Sequence, residues 1–285
     1  MGIELRFLAV MAKHLDIQDL MKLCKADITS KNEIKVAKHI KNLDLVSQKI
    51  EDVLDTIDKT NSLQPDRLAF YSYAHVPWIK GNGQRGFNDE DLPKDDEKRL
   101  LYEVGKKHLS EKGYHEIGMD HFALATDSLY HSFKDGNLHR NFMGYTSSKT
   151  QVIIGLGVSS ISDSWYSFAQ NVKTLEEYYD LLAQNELPIF RGHLLTTEDL
   201  IIRKHILNLM CQFHTTWAEY GTYFSELPEV LGRLDEMKND GLVQITENAI
   251  TVTEKGKAFV RNICMAFDLL LKRKTPDTAL FSMTV

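Results

Sequence analysis

The residues best suited to chemistry fall in a few short runs. Gly118-Met119-Asp120-His121-Phe122 sets a carboxylate beside an imidazole near a predicted strand end. Such a pair can move protons or hold an acidic substrate, although neighbours in a strand point to opposite faces and need not act together. Leu138-His139-Arg140-Asn141-Phe142-Met143-Gly144-Tyr145-Thr146 gathers an imidazole, a guanidinium, an amide and aromatic rings into one stretch. Arg forks onto carboxylates and aromatic rings stack, so this composition suits a planar ligand that carries carboxylates. The plainer reading is a solvated loop with a structural arginine. His121, His139, Arg140, Asn141 and Tyr145 are the candidate substrate-binding residues. Gly155-Leu156-Gly157, followed by Ser159, Ser160 and Ser162, offers backbone amides to an anion. It falls short of a complete GxGxxG, because Ser160 stands at the last glycine position, and no P-loop lysine follows. A tight strand-to-loop junction is the simpler account.

The three cysteines, Cys24, Cys211 and Cys264, lie far apart in sequence. An odd, scattered set is no disulfide framework, and it lacks the close spacing with which a loop gathers thiolates around zinc or an iron–sulfur cluster. Cys211 and Cys264 sit in apolar helical contexts and read as small buried side chains. No metal-ligating residues are expected.

The elements that must position these residues are legible from periodicity. Residues 35–57 place Val36, Ile40, Leu43, Val46, Ile50, Val53, Leu54 and Ile57 on one face of an amphipathic helix. A turn at Pro65-Asp66 precedes a short aromatic-rich strand, 67–73, which ends in Tyr73-Ala74-His75. A glycine- and proline-bearing loop, 77–93, leads to a charged helix over 95–112. Residues 113–123 read as a turn, a short strand and a polar strand end, and a buried apolar strand is predicted over 152–158. From 199 the order is helix, helix, hairpin around Glu247-Asn248, helix, which is that of a winged-helix module. The expected fold class is therefore α/β, with a divergent helical segment over 1–62, a helix–strand region over 63–190, and a helical winged-helix-like domain over 191–285.

Length and composition narrow the function classes. The chain has 285 residues, formal net charge -6, 43% hydrophobic and 26% charged residues. Those are globular values, enough for one large or two modest domains. The acidic balance and acidic wing tip speak against nucleic-acid binding. No apolar run reaches the ~20 residues of a membrane span, and the start lacks a signal-peptide pattern, so a cytoplasmic protein is expected.

The motifs together resemble one family. Pro65-Asp66-Arg67-Leu68, Tyr73-Ala74-His75, Gly118-Met119-Asp120-His121-Phe122-Ala123, Leu138-His139-Arg140-Asn141-Phe142, Gly144-Tyr145-Thr146, Gly155-Leu156-Gly157-Val158-Ser159 and Arg261-Asn262-Ile263-Cys264 appear in the order of oxygen-independent coproporphyrinogen III oxidase, over about residues 45–285. The resemblance implies a partial radical-SAM (βα) barrel followed by the helical C-terminal domain. It implies an oxidoreductase of haem and porphyrin biosynthesis, with a [4Fe–4S] cluster and S-adenosylmethionine as cofactors and coproporphyrinogen III as substrate. Two propionates are decarboxylated oxidatively to vinyls. By similarity, Ala74 and Ile161 contact a second S-adenosylmethionine. The family's C-x3-C-x2-C cluster loop has no counterpart in these 285 residues, and residues 1–44 align with nothing in the family. The chain therefore looks like a truncated, C-terminal portion of the enzyme. It is expected to be inactive alone, needing an N-terminal barrel half in trans or serving as a non-catalytic porphyrin- or haem-binding fragment.

Overall fold

The computed structural model describes residues 33–75, Gly86 and 91–274. The readings that involve residues 1–32, Cys24 and most of the 77–93 loop lie outside the described residues. The chain divides into two units, residues 1–130 with 276–285, and residues 131–275.

In the first unit the predicted amphipathic helix is α1, Glu33–Ser62. Leu43, Val46, Ile50 and Ile57 are buried along it, at steps of three, four and seven residues. Left-handed Gln64 (φ 48) ends the run just before Pro65. Strand β1 (Arg67–Ala69) leads on to helix α2 (Asp95–Glu111), which turns Leu100, Val104 and Leu109 inward. Ion pairs link the two helices, Lys49 to Glu97 at 2.7 Å and Lys112 to Asp58 at 2.6 Å. Strands β2 (Tyr114–Gly118) and β3 (His121–Leu124) form a hairpin, and the sheet order is β1-β3-β2. Both neighbours run antiparallel to β3, so β1 and β2 are parallel to each other. Ile57, Leu109, Tyr114 and Phe122 make the core beneath, with Val53, Leu68, Phe70 and Leu124 against it. Burying each large side chain stabilises the fold by about 1.5–3 kcal/mol. Gly105 is required at the α2 contact, where an added Cβ would fall 2.3 Å from the Phe70 ring.

Helix α3 (Ser128–Lys134) lies where the chain passes from one unit to the other. The second unit continues with a hairpin, β4 (His139–Asn141) and β5 (Gly144–Thr146). A second antiparallel sheet has β6 (Ile161–Asp163), β7 (Ser167–Asn171) and β8 (Ile189–Leu194) in that order, with α4 (Leu175–Ala183) between β7 and β8. All six residues of β8 are exposed. The predicted buried strand over 152–158 is instead an open loop. Val152, Ile154 and Leu156 are exposed, and only Ile153 bridges, to Asp163.

Helix α5 (Thr197–Gln212) buries Ile202, His205, Leu209, Met210 and Cys211. A capping box starts it: the Thr196 hydroxyl accepts from the Asp199 N–H at 3.2 Å, and the Asp199 carboxylate accepts from the Thr196 N–H at 2.9 Å. Strand β9 (His214–Thr216), helices α6 (Leu227–Arg233) and α7 (Asp235–Asn239), and the predicted hairpin β10 (Val243–Ile245) and β11 (Ala249–Val252) follow. The sheet order is β10-β11-β9. The single predicted last helix is a 3-10 turn followed by α8 (Val260–Met265) and α9 (Leu269–Lys274). Among the described residues no helix is long and apolar enough to cross a membrane.

Candidate functional site

In the first unit, Asp120 sits in the two-residue turn between β2 and β3, with φ 62. Its carbonyl accepts the Phe70 N–H at 2.8 Å, which ties the turn to the end of β1. His121 begins β3, and its Nδ1 lies 2.7 Å from the Met119 carbonyl. A carbonyl only accepts, so Nδ1 carries the proton of this bond. Asp120 and His121 therefore occupy a turn and a strand rather than one strand face. Tyr102 on α2 stacks on Phe70 at 5.7 Å and donates to Glu116 at 3.1 Å. Burial, then the Glu116 and Asp120 charges, push its phenol well above the ordinary range. Ala74 is exposed, five residues beyond the last residue of β1.

In the second unit, the His139–Thr146 stretch is a hairpin rather than a loose loop. Asn141 closes its turn, accepting the Met143 N–H on Oδ1 at 2.9 Å. Tyr145 is buried, and its hydroxyl donates to the Met210 carbonyl of α5 at 2.9 Å. Arg140 pairs across the hairpin with Tyr145 and lies over its ring at 4.6 Å. The Arg140 Nη1 is buried without a hydrogen-bond partner. Asn141 and Tyr145 thus hold the hairpin together and fasten it to α5.

His139 differs from its neighbours. It is 9% exposed, and no hydrogen bond reaches its ring nitrogens among the described residues, although neither nitrogen is sealed from open space. The ring lines a cavity of about 240 Å³ together with Lys149, Trp165, Lys204, Leu207 and Asn208. Burial holds the imidazole below its usual range; Arg203 adds to this and Asp163 opposes it. Arg203 forks onto Asp163 at 3.0 and 2.6 Å and donates to the Trp165 carbonyl at 2.9 Å. Its guanidinium lies 4.4 Å from the Trp165 ring centre and 5.0 Å from that of Phe168. None of Lys149, Asp163, Trp165, Arg203 or Lys204 stood out in the sequence, since no local motif joins positions 139, 149, 165 and 204.

Ile161 opens β6 and is partly buried. Gly155 packs so closely on it that a Cβ would lie 2.8–2.9 Å from the Ile161 backbone. The two glycine amides of this loop are already used. The Gly155 N–H donates to Ser162 Oγ at 3.0 Å, and the Gly157 N–H to the Tyr178 hydroxyl at 3.1 Å. Asn171 Nδ2 donates to the Gly155 and Gly157 carbonyls at 3.1 and 2.8 Å. The segment is a braced junction that presents Ile161, not an anion cradle.

Among the described residues no three of His, Cys, Asp and Glu come together as a metal site. Cys211 and Cys264 are buried, and burial pushes each thiol up to about 12. An iron–sulfur cluster needs thiolates. These two cysteines do not fit one.

No protein-family model matches the sequence. Oxygen-independent coproporphyrinogen III oxidase of Escherichia coli (strain K12) is 38% identical over 242 residues, covering 82% of this chain and 53% of that protein. The Synechocystis protein of the same name is 36% identical over 250 residues, again with 53% of its length covered. The chain thus spans about half the length of these relatives. The solved structure of coproporphyrinogen III oxidase (HemN) from Escherichia coli, described as a radical SAM enzyme, superposes with a TM-score of 0.73 at 37% identity, over 78% of this chain and 52% of that one. A Thermostichus vulcanus protein of the same name is 35% identical, and there the match spans 76% of the relative. The α/β fold, the motifs that position His121, His139 and Ile161, and these likenesses agree: the chain belongs to the oxygen-independent coproporphyrinogen III oxidase family.

Proposed function

We propose that this chain works on coproporphyrinogen III in haem biosynthesis, as the C-terminal portion of a radical-SAM coproporphyrinogen dehydrogenase of the cytoplasm. The observation that carries the reading is the 242-residue match to the Escherichia coli enzyme at 38% identity. In this reading residues 63–190 are part of the radical-SAM barrel. The parallel β1 and β2, joined through α2, support it as one strand–helix–strand unit. Residues 191–285 are the winged-helix-like domain, supported by the order α5, β9, α6, α7, β10, β11. Ala74 and Ile161 contact a second S-adenosylmethionine, and the braced Gly155 junction suits a backbone contact at Ile161. His121, His139 and Arg140 face the tetrapyrrole, while Asn141 and Tyr145 shape the hairpin that carries two of them.

The described residues supply no cluster ligands, so the reading requires a cluster-bearing segment or partner to join this portion before S-adenosylmethionine is cleaved. Anaerobic reconstitution of the 285-residue polypeptide tests this. The expected result is no stoichiometric iron and sulfide and no cleavage; about four of each per chain, with cleavage, overturns it. A second reading, porphyrin binding without catalysis, draws on the cavity beside His139. Titration with coproporphyrin III separates the two from a chain with neither role, which would leave the porphyrin spectrum unaltered.

A further inference from the structure

The cavity beside His139 has a chemistry of its own. Its lining holds two lysines, Lys149 and Lys204, and no carboxylate. Lys204 is shared with Glu219 at 3.2 Å, but both side chains are largely exposed and such a pair contributes little. Lys149 makes no ion pair among the described residues. His139 is nine-tenths buried, yet its ring nitrogens are left without protein partners among the described residues. A buried polar group without a partner is costly unless a water or ligand satisfies it. Trp165 and Leu207 give the cavity an apolar wall.

We propose that this cavity is a carboxylate-binding site, in which Lys149 and Lys204 flank the charge, His139 hydrogen-bonds to it, and Trp165 and Leu207 cover a short apolar body. A singly charged carboxylate suits it better than a phosphate. The lining residues on α5 belong to the middle and C-terminal half of that helix, where its dipole is negative and no backbone N–H points outward. Arg203, whose charge acts on His139, is already committed to Asp163. The volume of about 240 Å³ lies below the roughly 300–1,000 Å³ of pockets that enclose drug-sized ligands. A tetrapyrrole cannot enter whole. The occupant is a small free carboxylic acid, or one propionate arm of a macrocycle that stays outside. The second source rests on the proposed function above; the first does not.

The full chain with labelled imidazole nitrogens decides this by NMR. The His139 signal is assigned by its loss in His139→Gln. 3-Phenylpropionate is expected to shift it saturably, whereas 3-phenylpropanol, which keeps the body and lacks the charge, leaves it in place. Lys149→Gln with Lys204→Gln should weaken the acid about tenfold or more, each factor of ten being about 1.4 kcal/mol. Coproporphyrin III that displaces 3-phenylpropionate identifies the propionate arm. Coproporphyrin III that fails to displace it leaves the free acid as occupant, and a complete lack of porphyrin affinity then counts against the proposed function alone. No saturable shift at millimolar 3-phenylpropionate, or an affinity unchanged by the lysine substitutions, overturns the site. Porphyrin bound without any change at His139 does the same while leaving the proposed function standing.

Discussion

Asp163 and Arg203 lie 40 positions apart and make a buried, two-pronged ion pair. Asp163 also accepts the Trp165 N–H at 2.9 Å. Removing one partner strands a charge among aromatic rings, which costs about 3–5 kcal/mol, whereas replacing both with apolar groups costs far less. Asp163→Asn should therefore lower the unfolding free energy by that order, and adding Arg203→Met should restore part of it. Urea titration of the three chains measures this; a double variant no more stable than the single one refutes the account. At this scale the sequence was readable where a motif was local. His139 and Arg140 stood out by type and company. Asn141 and Tyr145 stood out too, yet their work is to close a turn and to grip the Met210 carbonyl. A residue type tells what a group can do, while its neighbours in space decide what it does.

Elements were legible in proportion to their periodicity. Helices α1, α2 and α5 and the β10–β11 hairpin matched their apolar spacing. The β6–β7–β8 sheet did not announce itself, because β8 is exposed along its whole length and shows no alternation between faces. The 152–158 run failed in the opposite sense, since its apolar residues are exposed in a braced loop. Helix α5 also carries a pH response. His205 is buried between Phe224 and Phe267, its Nδ1 2.8 Å from the Thr215 hydroxyl and its Nε2 2.7 Å from the Thr222 carbonyl. That carbonyl requires the proton on Nε2, and burial keeps the ring below its usual range against the opposing bond to Thr222. An unfolded histidine titrates near about 6.5. Between that value and the lower native one, the unfolded chain binds more protons, so stability falls as the pH drops below about 6.5 and is fully present above it. His205→Asn should flatten that slope, although the variant is less stable at neutral pH. An unchanged slope in the variant would place the pH response elsewhere.

For the whole molecule, the outer edge of β8 matters most, since β8 pairs with β7 on one side and ends its sheet among the described residues. Six exposed residues, with Ile189, Phe190 and Leu194 among them, make an edge of the kind that pairs with other chains. The chain should self-associate as its concentration rises. Ile189→Lys with Leu194→Lys should suppress this, as seen by sedimentation velocity; association that persists unchanged would assign it to another surface. The family was legible from ordered motifs before any coordinates. The cavity was not, because its lining is drawn from separate segments that only folding brings together.

Cys264 gives the second unit a built-in clock. A thiol held near 12 and buried is not a nucleophile in the native state. It reacts only while the α5–α8 packing is open. In a Cys24→Ser, Cys211→Ser background, which also removes the thiol that lines the His139 cavity, the rate of labelling by a small disulfide reagent should be slow and should saturate as reagent is raised. The plateau is the opening rate itself, so one buried side chain becomes a reporter of how often this unit breathes. Rapid labelling at the rate of a free thiol would show that the packing around it is open.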